Sequence, residues 1–367
     1  MEIVLFVAAL AIILLGAELF TNGIEWLGHR LGLADGAVGS VLAAVATALP
    51  ETLIPIIAIM GPIFLGTEAT AGSEEVGVGA ILGAPFMLAT LAMFVTGIAV
   101  LVSSRGERRS RNLELNTVIL GRDFRFFLLA YAVAIGAAFI PEPWHWVDWL
   151  IAAFLLVVYA LYVRAHFRDE PTDVDPDLNR LHVARLPGLD GHPAVARRRP
   201  TADGQGWDWS PRLWLILVQT AVALGCIILG ARVFVTAIQS IAGDIGMDPR
   251  LFALIVAPIA TELPEKFNSI IWVRAKKDTL ALGNITGAMV FQSCIPIIIG
   301  LLFTPWLFTP ESALSFLSAG AAVLSTLLIL GPMARGGRLA AVSLLVGGPI
   351  YAAYVLTVIF RPFGLGA

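Results

Sequence analysis

This chain has little charge. Of its 367 residues only 14% are Asp, Glu, Lys or Arg, against 58% hydrophobic, and the mean hydropathy is +0.84. That is too little polar surface for a soluble domain, so the chain reads as an integral membrane protein. Cysteine is also scarce: Cys226 and Cys294 both fall inside apolar runs, which speaks for two small core residues and against a disulfide or a thiolate metal pair. The five histidines lie in loops or at span ends. No H-E-x-x-H, no nucleophile with a base and no aspartate pair is visible, so the chain is not expected to be an enzyme and no cofactor is expected. A basic start is missing as well, and Met1–Leu27 reads as a first span, not a cleaved leader.

What the chain does have is long apolar runs of about 20 residues, which favour helices over a barrel whose strands would alternate over about 10. Spans are expected near 2–27, 35–61, 74–103, 125–141, 146–165, 211–242, 250–272, 280–303, 311–333 and 338–360. The fold class predicted is an all-α polytopic membrane protein: ten transmembrane helices arranged as two inverted five-helix repeats, with broken helices at the midplane. The domains expected are a first membrane repeat over 1–165, a loosely ordered cytoplasmic loop over 166–210 and a second, inverted repeat over 211–367.

Basic residues mark alternate connections: His29-Arg30, the cluster Arg105, Arg108, Arg109, Arg111 and Arg122, the middle loop, Arg274 with Lys276 and Lys277, and Arg335 with Arg338. The positive-inside rule makes these cytoplasmic, which leaves both termini outside, in what reads as a plasma (inner) membrane protein. The arginine cluster is a topology signal and a contact for anionic lipid, not a nucleic-acid site. An odd number of spans per half inserts the second half upside down relative to the first.

One stretch occurs twice, as Ala46-Thr47-Ala48-Leu49-Pro50-Glu51 and as Ala260-Thr261-Glu262-Leu263-Pro264-Glu265. Residues 9–51 align without a gap on residues 223–265, at an offset of 214, and Gly79–Ala84 matches Gly283–Ala288 at an offset of 204. A proline offers no N–H to residue i−4, so Pro50 frees the carbonyl of Ala46 and Pro264 that of Ala260. Thr47 with Glu51, and Thr261 with Glu265, are spaced i,i+4 on one helix face. Each copy gathers hard oxygens, which suit Na⁺, Ca²⁺ or Mg²⁺. Fourteen residues of helix carry each motif about 21 Å in, near the middle of a core about 30 Å thick. A proline kink with a stray buried Glu is the plain alternative for one copy; two matching copies weigh against it.

These repeats resemble those of the cation/Ca²⁺ antiporter superfamily, of which sodium/calcium exchangers are a branch. Its A-x-G-T-S-x-P-E and G-N-x-x-G-S-N patterns are similar to VATALPE with GAILGAP and IATELPE with GNITGAM in this chain. The resemblance implies a ten-helix fold, exchange of a metal cation (Ca²⁺ or Na⁺) against Na⁺ or H⁺, and Glu51 and Glu265 as principal metal ligands. Thr47 and Thr261 would add hydroxyl or backbone oxygens. The chain departs from the pattern at Ala48, Ala84-Pro85 and Ala288-Met289, where side-chain oxygens are missing.

Glu262 stands at the position equivalent to Ala48, roughly on the face of Glu265. Three carboxylates in low dielectric cannot all stay ionised without a cation, which makes H⁺ a plausible coupling ion. The alternative reading of Glu262 is a cap beside Pro264. Asn268, Ser269, Asn284, Gln292 and Ser293 read chiefly as interhelical hydrogen-bonding groups, with Asn284 a further cation contact. Lys266 neutralises a carboxylate or snorkels to the cytoplasmic side. Glu18 and Arg232 occupy equivalent positions, and inversion argues against a bridge between them. The expected partners are inorganic cations and the bilayer, with no obligate protein partner. A cation channel, or a binding-only protein that has lost exchange, is the competing reading.

Overall fold

The structure, a computed structural model, describes residues 2–30, 49–65, 72–104, 112–113, 115–166, 181–185, 196–200, 207–274, 278–336 and 338–360. Helices run over Glu2–Arg30 (α1), Leu49–Leu65 (α2), Ser73–Met87 (α3), Met93–Ser103 (α4), Thr117–Ala137 (α5), Trp146–His166 (α6) and Leu213–Asp244 (α7). They continue over Pro249–Arg274 (α8), Asp278–Gln292 (α9), Ile295–Phe303 (α10), Ala313–Gly336 (α11), Ala341–Leu344 (α12) and Gly347–Ile359 (α13). Strands among the described residues are confined to two short antiparallel pairs, Asn112–Leu113 (β1) with Leu339–Ala340 (β4) and Ala196–Pro200 (β2) with Trp207–Pro211 (β3). The fold is all-α.

In hydrocarbon every backbone amide must be satisfied within its own segment, which is why apolar runs become helices. Among the described residues, seven stretches are long and apolar enough to cross a membrane: Glu2–Leu27, Ser73–Ser103, Trp146–His166, Leu213–Asp244, Ala281–Phe303, Ala313–Gly336 and Ala341–Ile359. The outer helices turn apolar side chains outward, among them Ile3, Val7 and Leu15 of α1 and Leu156 and Val157 of α6. Water would make that costly; lipid makes it free. Trp144, Trp146 and Trp149 are exposed around the start of α6, where an aromatic belt meets the headgroups. Ser73–Ser103 and Ala281–Phe303 are the central stretches, 61% and 67% buried against 28% for Glu2–Leu27.

Three local expectations change. The fourth span does not begin at 125: α5 starts at Thr117, capped by Asn116, whose side chain accepts from Val118 N at 3.0 Å and Ile119 N at 3.3 Å. Arg122 therefore lies inside the helix and not in a cytoplasmic loop cluster. Helix α8 is continuous through Pro258 and Pro264 instead of breaking at the motif. One missing amide bends a helix held on both sides without ending it. The interruptions fall elsewhere, at a π-helical turn over Leu88–Ala92 between α3 and α4 and at a two-residue turn, Ser293-Cys294, between α9 and α10. At the 204 offset these are equivalent positions.

The middle connection is the third, because its described residues carry secondary structure. β2 and β3 form a hairpin with Arg198 opposite Trp209. Nearby, Leu181 is buried against Leu215 and Ile216. His182 N donates to Asn22 Oδ1 at 3.0 Å, Val183 N to Gln219 Oε1 at 2.9 Å, and Gln219 Nε2 to Leu19 O at 2.8 Å. This segment straps α1 to α7. Glu18 lies 3.5 Å from His182 Nε2 in the same strap.

Helices α1 and α7 run antiparallel in a close, reciprocal contact. A Cβ added at Gly16 would lie 2.8 Å from Ile227 Cγ1 and 3.1 Å from Ala223 O, and one at Gly230 would lie 2.8 Å from Ile13 Cγ1 and 3.2 Å from Ala9 O. Each of these residues has its counterpart 214 positions away in the other helix. At the far end, α7 turns into α8 through a Schellman cap: Gly246 takes φ 65, Met247 N donates to Ala242 O at 2.8 Å and Gly246 N to Gly243 O at 3.1 Å.

Candidate cation site

Glycine and alanine bring α3 onto its neighbours. Gly77 lies against Ile59 and Ala58 of α2, while a Cβ at Gly79 would run into Arg250 O, and one at Gly83 into Leu254 O, both on α8. Such contacts set backbone on backbone, as between membrane helices generally. What is left between α2, α3 and α8 is a cavity of about 10 Å³ lined by Glu51, Ile54, Ala80, Ala84, Ala257, Pro258 and Thr261. That is room for about one water-sized body. Small side chains make the space, and a carboxylate and a hydroxyl give it polarity.

Glu51 is 6% exposed and Thr261 1%. Thr261 Oγ1 donates to Ala257 O at 3.0 Å one turn earlier, so its proton is committed and its lone pairs remain to accept or to ligate. Glu265 follows Thr261 by one turn on α8, and its side chain lies outside the described residues, as do those of Lys266 and Asn268. The backbone at Ala260 is helical and Pro264 has no amide hydrogen for its carbonyl. Ala46 and Thr47 lie outside the described residues.

Glu262 does not line this cavity. It is 2% exposed and its Oε1 accepts from Gln292 Nε2 at 3.4 Å, at the turn between α9 and α10. Of the three expected carboxylates, Glu51 lines the cavity and Glu262 hydrogen-bonds Gln292, while the Glu265 side chain lies outside the described residues. Asn284 is partly buried on α9 and does not line the cavity. Ser269 Oγ donates to Ala281 O at 3.2 Å, an interhelical bond of the expected kind, as is that of Gln292.

Sequence reasoning missed Asp123, 1% exposed, whose Oδ2 accepts from Thr286 Oγ1 at 2.7 Å. A lone aspartate inside a long helix was the available signal; placing the span's start at 125 hid it. Among the described residues no three His, Cys, Asp or Glu side chains come together. Glu51 and Thr261 give the cavity a carboxylate and a hydroxyl, both hard donors.

Helices around a small cavity lined by a carboxylate and a hydroxyl offer oxygens that suit a hard cation. The sequence profile of the sodium/calcium exchanger protein family matches residues 1–167 and 215–360, and the chain belongs to that family. It is a family of cation antiporters in the cation/Ca²⁺ antiporter superfamily, integral to the membrane and not enzymes. The chain is 25% identical over 300 residues to CaxA of Alkalimonas amylolytica, covering 81% of this chain and 79% of that one. It is 24% identical over 306 residues to the inner membrane protein YrbG of Escherichia coli (strain K12), covering 83% and 79%. Its fold is similar to that of the H⁺/Ca²⁺ exchanger CAX, with TM-score 0.71 at 14% identity over 99% of this chain and 82% of that chain. It is also similar to the sodium-calcium exchanger NCX_Mj, with TM-score 0.55 at 16% identity over 98% of each.

Proposed function

We propose that this chain is a secondary-active antiporter that exchanges a metal cation, Ca²⁺ or Na⁺, against Na⁺ or H⁺ by alternating access at a site centred on Glu51. The observation that carries the reading is the buried Glu51 carboxylate sharing a small cavity with Thr261 between α2, α3 and α8. A buried charge on that scale is costly unless a cation or a proton compensates it. Glu265, one turn beyond Thr261, completes the carboxylate pair, and Thr47 with the carbonyls of Ala46 and Ala260 supplies further oxygens. Glu262 of α8 serves the second exchanged ion, H⁺ in the first instance, from its place beside Gln292, and Asn284 of α9 adds a cation contact.

Alternating access here is an exchange of roles between two inverted five-helix halves, residues 1–165 and 211–367, around the central site, in a ten-span chain. The antiparallel, reciprocal contact of α1 and α7 across Gly16 and Gly230 supports that reading, because equivalent helices of inverted halves must run oppositely. Both termini lie outside, the middle connection is cytoplasmic, and the membrane is the plasma (inner) membrane.

Reconstitution in liposomes with Ca²⁺, Na⁺ and pH readouts tests the proposal. The natural chain is expected to carry Ca²⁺ only when Na⁺ or H⁺ moves the other way, and Glu51→Gln or Glu265→Gln is expected to reduce flux to background. Flux that persists with no exchangeable ion on the far side would identify a channel instead. Strict Na⁺ dependence with no response to pH would remove the proton role of Glu262.

A further inference from the structure

Away from the cavity, the bundle holds another buried carboxylate that the proposed exchange site does not use. Asp123 of α5 is 1% exposed and is surrounded by groups from three helices. Thr286 Oγ1 of α9 donates to its Oδ2 at 2.7 Å, the Tyr162 hydroxyl of α6 hydrogen-bonds it, and Arg122 Nε stands 3.9 Å from its Oδ1. Arg122 in turn donates to Ala165 O at 3.3 Å and lies 3.2 Å from His166 Nδ1 at the end of α6. A carboxylate fully removed from solvent and given a short hydroxyl donor is among the stronger polar contacts a membrane interior offers.

What this cluster grips matters more than the cluster itself. Thr286 belongs to the motif Gly283–Met289, and a Cβ at the next residue, Gly287, would lie 3.4 Å from the Tyr162 hydroxyl. So α9 is held on one side at Thr286 and Gly287 by α5 and α6. On another side it meets α8 twice, where Ser269 Oγ donates to Ala281 O and Gln292 Nε2 to Glu262 Oε1. Asn284 sits two residues before Thr286, about 200° round the helix, so whatever fixes Thr286 also fixes the rotation of Asn284. A helix pinned at four places along its length has one rotation and one height.

We infer that Asp123 is a positioning residue for cation exchange: through Thr286 it sets the rotation and height of α9, and with them the reach of Gln292 to Glu262 and the placement of Asn284. It touches no transported ion. The inference rests on the antiporter reading above and adds a residue set outside the cavity.

The test uses the full-length chain in two assays, exchange in liposomes with Ca²⁺ as the probe and stabilisation by Ca²⁺ or Na⁺ in detergent micelles. Thr286→Val keeps the shape and removes the hydroxyl; Thr286→Ser keeps the hydroxyl; Asp123→Asn keeps an acceptor and removes the charge. Thr286→Val is expected to raise the half-saturating Ca²⁺ concentration about tenfold, the scale of one charge-assisted hydrogen bond, with the maximal rate little changed. Thr286→Ser should restore the natural value, and Asp123→Asn should fall between. In the double variant Thr286→Val with Asp123→Asn the two effects should not multiply, because both break one contact. An unchanged half-saturation in Thr286→Val, or a loss confined to maximal rate and equally present in Thr286→Ser, overturns the inference while leaving the antiporter reading intact. If the natural chain carries no exchange, the antiporter reading falls, and the micelle assay still decides the positioning role by comparing apparent affinities. Absence of saturable stabilisation by either cation in the natural chain sinks both.

Discussion

Two of the helix pairs that join the first part of this chain to the last are built to different tolerances. Where α1 meets α7, an added Cβ at Gly16 or Gly230 would press first on an isoleucine side chain at 2.8 Å. Where α3 meets α8, an added Cβ at Gly79 or Gly83 would strike backbone carbonyls of Arg250 and Leu254. A side chain can change rotamer; a carbonyl inside a helix cannot move without taking the helix along. The pair that lines the cavity therefore has no slack, and the flanking pair, lipid-facing along much of its length, has some.

That contrast orders the expected effects of substitution. The largest belongs to Gly83→Ala, which must push α8 away from α3 and spoil the cavity of Glu51 and Thr261. Overpacking of this kind is expected to destabilise by about 3 kcal/mol and to abolish exchange, read by thermal unfolding in micelles and by flux. A Gly83→Ala protein with natural stability would show the contact to be looser than it looks. Next come Gly16→Ala and Gly230→Ala, at about 1 kcal/mol each. Because each meets the counterpart of the other's neighbours, their unfolding shifts should match closely; a large inequality would break the reciprocity. The smallest effect is expected at the strap, where Asn22→Leu removes the acceptor of the His182 amide and one of the two acceptors of Gln219 Nε2, which keeps Leu19 O. A hydrogen bond between membrane helices contributes about 0.6 kcal/mol, so a small drop in stability, with faster proteolysis near residue 182, is the expected result.

How much of the site could be read beforehand varies by residue. Glu51 and Thr261 were legible because each sits in a repeated motif whose proline and carboxylate are costly in an apolar run. The same logic grouped Glu262 with them, and geometry parted them: neighbours along a helix are turned about 100°, so Thr261 faces the cavity and Glu262 faces Gln292. An alanine lining a cavity, as Ala80, Ala84 and Ala257 do, looks like any other alanine until two helices approach. Asp123 was hidden by its sequence neighbours, Arg122 and Arg125, which made a helix interior resemble the end of a basic loop.

By itself the sequence determined the solvent, the helical class and the family, because hydropathy, period and a twice-written motif are properties of residues in order. It also carried the reciprocity of α1 and α7 as a gapless offset. Only the tertiary structure decided which polar groups meet: that Glu51 shares a cavity with Thr261, that Glu262 answers Gln292, that Asp123 holds Thr286, and that the interruptions fall at Leu88–Ala92 and Ser293-Cys294. The physical reason is that a carboxylate's cost is local while its compensation is not. In a membrane the partner comes from another helix, and helix rotation and height are set by packing across the whole bundle.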